Sequence, residues 1–71
     1  MTAPTFTPGQ PVEVVNRWTG AVLWRGVVES VRADNGQASV TRDGGHRRHH
    51  FSRLGAVLMG GPVAWVLRGV A

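Results

Sequence analysis

Cysteine is absent from the 71 residues, which removes disulfide staples and thiolate metal sites together. Lysine is absent too: all eight basic residues are arginine, set against two aspartates and two glutamates for a net charge of +4. With so few acids, Glu13, Glu29, Asp34 and Asp43 stand singly along the chain, and no pair is spaced for acid–base chemistry. Ser30, Ser39 and Ser52 lie beside no local base and orienting acid. Gly44-Gly45 lacks the strand-to-helix setting of a phosphate-binding loop. The chain is therefore expected to be no enzyme and to need no cofactor. Long apolar runs are missing as well. From Leu54 onward only Arg68 is charged, but Gly60-Gly61-Pro62 cuts that stretch into pieces far shorter than the ~20 residues that span a bilayer. Residues 1–10 carry no basic run and no apolar stretch of signal-peptide length. A cytoplasmic address without membrane insertion is the expectation.

A chain of this length holds one compact unit with a thin core. No apolar stripe recurs at helical spacing, whereas valines alternate with polar residues at the period of strands. A first strand is expected at 11–16, with Val12 and Val14 on one face and Glu13 on the other. A Trp-Thr-Gly loop follows, then a long second strand at 22–32 centred on Trp24-Arg25-Gly26-Val27-Val28. The three-residue spacing of Val28 and Val31 breaks alternation and predicts a bulge near Glu29-Ser30. Asp34-Asn35-Gly36 and Asp43-Gly44-Gly45 both supply residues that tolerate positive backbone dihedrals, and each marks a tight hairpin. They delimit a third strand at 37–42 and a fourth at 46–51. Ser52-Arg53-Leu54 suits a single helical turn before a fifth strand at 56–59, and 63–67 reads as a sixth.

Five short strands, a loop after the first, two tight hairpins and a one-turn link resemble the SH3-like barrel group over about residues 6–59. Gly9, Val12, Val14, Gly26-Val27-Val28 and Val31 are similar to the opening of KOW and Tudor-type barrels. Phe6-Thr7-Pro8-Gly9-Gln10-Pro11-Val12, Thr19-Gly20-Ala21 and Trp24-Arg25-Gly26 also resemble the type II dihydrofolate reductases, barrels that assemble as tetramers around one pore. That family reads Val-Gln-Ile-Tyr where this chain has His46-Arg47-Arg48-His49, so its Gln and Tyr positions hold Arg47 and His49 and its active-site motif is missing. The resemblance implies an all-β chain: an SH3-like five-stranded barrel at 9–59, a flexible arm at 1–8, and an additional C-terminal strand or tail at 60–71.

The densest chemistry lies between Arg42 and Arg53. On a strand, His46, Arg48 and His50 share one face and Arg47, His49 and Phe51 the other. With Phe51 inward, the first set is expected outside and Arg47 near the barrel mouth. Together with Arg25, Arg42 and Arg53 this makes a basic surface (Arg25, Arg42, His46, Arg47, Arg48, His50, Arg53) suited to a nucleic-acid phosphate backbone read with little sequence specificity. The plainer reading of the same strand is a solvated face that discourages edge pairing. His46 and His50 stand ~13 Å apart along a strand, and His49 points away, so no metal site within one chain is expected, which leaves only a site shared across a symmetry axis. Trp18, Trp24 and Trp65 are either stacking platforms or core. Val12, Val14, Val28, Val31, Ala38, Val40, Phe51, Leu54 and one face of 56–59 already fill a thin core. Val15, Trp18, Val22, Val27, Val63, Trp65 and Val66 are then surplus, which predicts a homo-oligomer with Val63, Trp65, Val66 and Leu67 at its seam. Three functions follow: a nucleic-acid-binding barrel, a protein-interaction or inhibitor module working through an apolar surface, and a reductase-like enzyme.

Overall fold

The computed structural model describes residues 6–70. These form β1 (Pro11–Asn16), β2 (Val22–Val31), β3 (Ala38–Arg42), β4 (Arg48–Phe51), β5 (Val57–Met59) and β6 (Trp65–Gly69), with no helix among the described residues and so none able to cross a membrane. All pairings are antiparallel, in the order β5-β4-β3-β2-β1-β6. The sheet curls into a half-barrel until its two edges touch. There Ala56 bridges Val66, and the Leu67 amide donates to the Gly55 carbonyl at 2.9 Å.

Alternation explains the curl's inner face. Val12 and Val14 from β1, Trp24 and Val28 from β2, Ala38 and Val40 from β3, Phe51 from β4 and Leu67 from β6 form one buried cluster, and burying this apolar surface is the main force holding six short strands together. The β2–β3 register slips between Val28 and Ser30, where the valine spacing placed a bulge. Gly26 is also required by close approach: a Cβ there would run into the Thr41 carbonyl of the neighbouring strand. Gly36 and Gly44 take positive φ angles of 74° and 77° in the two hairpins.

Several expectations are corrected. Phe6, placed in the N-terminal arm, is 2% exposed and belongs to the core; residues 1–5 of that arm lie outside the described residues. Leu54, expected inside, is 77% exposed. Residues 52–55 make a turn closed by the Gly55 amide on the Ser52 carbonyl at 2.9 Å, not a helical turn. The ladder of β4 begins at Arg48 because 45–47 still belong to the hairpin loop. Val15, counted as surplus, is buried.

Strand direction sorts the loops to two rims. Residues 17–21, 43–47 and 60–64 gather at one end, here the upper rim. Residues 6–10, 32–37 and 52–56 gather at the lower rim.

Candidate functional site

The outer face carries Glu13 on β1, Arg25 and Glu29 on β2, Ser39 on β3, Arg48 and His50 on β4 and Arg68 on β6. Cross-strand register puts Arg25 and Arg68 directly on either side of Glu13, with nitrogen–oxygen distances of 3.6 and 2.6 Å. Arg48 reaches Glu29 at 2.9 Å. His50 shares a 3.0 Å hydrogen bond between Nδ1 and the Ser39 hydroxyl. Arg25 and Arg48, expected as free phosphate contacts, are therefore already matched with carboxylates. Sequence alternation could place these arginines outside but could not show which acid faced them.

Among the described residues, Arg17, Arg42, Arg47 and Arg53 have no carboxylate within ion-pair distance. Arg17 stands in the first upper-rim loop, and Arg42 and Arg47 flank the second, beside exposed His46. Asp43 is the acid of that rim. Arg53 sits at the opposite, lower rim, where its Cβ packs against the Gly36 turn. The basic run that is continuous in sequence is thus divided between two ends of the fold.

Beneath the upper rim lies an aromatic cluster. The Trp24 ring is 5.0 Å from His49 and 5.4 Å from Trp65, centroid to centroid, and His49 is 5.5 Å from Trp65. The Arg42 guanidinium carbon lies 5.8 Å from the Trp24 ring centre, near the outer limit of cation–π attraction. His49 Nδ1 meets the Gly60 carbonyl at 2.7 Å and so ties the third rim loop to β4. Trp24 is core, although its Nε1 is buried without a partner.

Trp18 is the opposite case, 72% exposed. Its loop is nonetheless built firmly. Asn16 Oδ1 accepts from the Trp18 and Thr19 amides at 2.9 and 3.0 Å, and the Arg17 amide donates to the Ala64 carbonyl at 2.8 Å. A fixed loop therefore holds a bare indole and an unpaired guanidinium side by side. The sequence reading passed over Arg17; its position beside Trp18 in a loop free of acids was the available signal.

The expected seam is redistributed. Leu67 is 2% exposed inside the chain's own core, because β6 pairs with β1 of the same sheet. Trp65 and Val66 are half-buried, and only Val63 stands well exposed. Leu58 and Met59, on neighbouring β5, are exposed beside it in the chain. Among the described residues no three His, Asp or Glu side chains gather into a possible metal site. No protein-family model, curated protein or solved structure matches the chain.

Proposed function

We propose that the chain is a small SH3-like barrel acting as a non-enzymatic binding module, whose upper rim takes the phosphate backbone of a nucleic acid with little sequence specificity. The SH3-like assignment draws on the bulged second strand, the two glycine hairpins and the short turn before β5. One observation carries the function: three of the four unmatched arginines, Arg17, Arg42 and Arg47, share a rim with the exposed indole of Trp18. Guanidinium forks suit phosphate oxygens, and displacing condensed counterions supplies affinity that is blind to sequence. A flat exposed indole adds a stacking surface for unpaired bases, which favours single strands.

Fluorescence anisotropy of labelled single- and double-stranded oligonucleotides at two salt concentrations tests this reading. Binding that is stronger for single strands and falls steeply with salt supports it; no binding at low salt refutes it. The second reading, a protein-interaction module that also self-associates, draws on Leu58, Met59 and Val63 at 56, 67 and 65% exposure. Light scattering together with a loss of self-association in Met59→Asp would favour it.

A further inference from the structure

The lower rim contains an open cavity of about 280 Å³ between the β2–β3 hairpin and the 52–55 turn. Its lining is Asn35, Gln37, Ser52, Arg53, Leu54 and Leu58, and its polar groups are biased toward donation. Asn35 uses its side-chain oxygen on the Gln37 amide at 2.9 Å, which leaves its own N–H groups free. Ser52 accepts from the Ala56 amide at 3.1 Å and keeps its hydroxyl proton to give. Arg53 brings a guanidinium with no acid partner. Asp34, next in the chain to Asn35, is held by Arg32 through two hydrogen bonds of 3.0 and 2.9 Å, so its charge is matched, and neither residue lines the cavity. Leu54 and Leu58 supply apolar wall that the protein otherwise leaves in water.

We propose that this cavity binds a small carboxylate carrying an apolar chain, its head met by Arg53, Asn35 and Ser52 and its chain lying on Leu54 and Leu58. A guanidinium fork matches two carboxylate oxygens, and one such group balances one negative charge. The volume, just under the usual range for ligand pockets, suits a fragment the size of one amino-acid residue. The head could be the chain terminus of a peptide or a free aliphatic acid; the chemistry recognised is the same. The site is separate from the upper rim and does not depend on nucleic-acid binding there.

The test is a titration of the ¹⁵N-labelled protein followed by amide shifts, with three probes: N-acetyl-leucine, 4-methylpentanoate and the uncharged N-acetyl-leucinamide. Saturable shifts at Asn35, Gln37 and Ser52 with the acids, and at least about tenfold weaker binding of the amide, are expected from loss of a charge-assisted contact. Tighter binding of N-acetyl-leucine assigns a peptide terminus, and tighter binding of 4-methylpentanoate a free acid. Arg53→Met, which keeps the stem on Gly36, should weaken both acids by a similar factor, as should Leu58→Asp at an exposed position. Arg47→Ala, at the opposite rim, should leave the affinity for both acids unchanged. The proposal is overturned if neither acid gives saturable shifts up to about 10 mM, if the amide binds as well as the acids, or if both lower-rim variants bind like the parent.

Discussion

Arg68 meets Glu13 across the β1–β6 ladder, Nε to Oε1 at 2.6 Å, and the Glu13 side chain is only 10% exposed although it lies on the outer face of the sheet. The register supplies the reason: arginines from two strands flank Glu13, and their aliphatic stems can cover it. Buried charge is costly unless matched. Glu13→Gln should therefore lower unfolding stability by about 1–2 kcal/mol, less than for a fully buried pair because both arginines are more than half exposed. A double-mutant cycle by urea denaturation should give a larger coupling for Glu13 with Arg68 than with Arg25, whose contact is 1 Å longer, 3.6 against 2.6 Å. Equal couplings would mean that distance is not what sets the pair's strength.

Gly55 marks the point where the two edges of the sheet meet. Its φ is 92°, and a Cβ there would collide with the Leu67 carbonyl. Gly44 has a similar φ of 77° but faces open space. Gly44→Ala should cost about 1 kcal/mol for backbone strain alone, and Gly55→Ala at least about 2 kcal/mol because the seam must also part. Similar losses for the two variants would show that the edges are not in register at this point.

The Asp34 carboxyl is held below the usual aspartate range, chiefly by its hydrogen bond from Arg32, and Arg32 is raised in turn. A carboxyl with a lower pKa folded than unfolded stabilises the fold above its unfolded value of about 3.9 and loses that contribution as pH falls through the folded one. The pair should thus make stability pH-dependent only in the acid range below about pH 4. Carbon-detected titration should place the Asp34 midpoint below ordinary aspartate, and Arg32→Gln should move it up. An unchanged midpoint in the variant would remove Arg32 as the cause.

Backbone features proved readable because each has a local chemical cue. Pro11–Asn16 was legible to the residue from alternation, the bulge from the Val28–Val31 spacing, and the places of both chain reversals from Asn-Gly and Gly-Gly. The loops at 32–37 and 43–47 are nonetheless longer than tight turns, and only Gly36 and Gly44 in them take positive φ. What depends on contacts between distant residues was not. Phe6 reads as a tail residue until the barrel interior needs a plug, and Leu67 reads as surplus until β6 pairs with β1. The spatial division of the basic run was hidden for the same reason. Arg47 and Arg53 are six residues apart in sequence, yet one descending strand carries them to opposite rims. Neutralisation of Arg48 by Glu29 likewise depends on cross-strand register that composition does not encode.

If the upper rim tracks a phosphate backbone, its arginines differ in what they contribute, and salt dependence separates them. Each neutralised phosphate contributes about 0.7 to the log–log salt slope on a single strand. Replacing Arg42 and Arg47 together with Ala should flatten that slope by about 1.4 and weaken all sequences alike, because backbone contacts position without specifying. Arg25→Ala should change the slope less, since Glu13 already balances that charge. Arg53→Ala should leave it unchanged, being at the other rim. Trp18→Ala separates stacking from charge: affinity for single strands should fall by about 1–3 kcal/mol while the slope stays the same. Stability should hardly move, because the indole is 72% exposed. Equal effects from Arg47→Ala and Arg53→Ala would mean that diffuse net charge, and not this rim, attracts the nucleic acid.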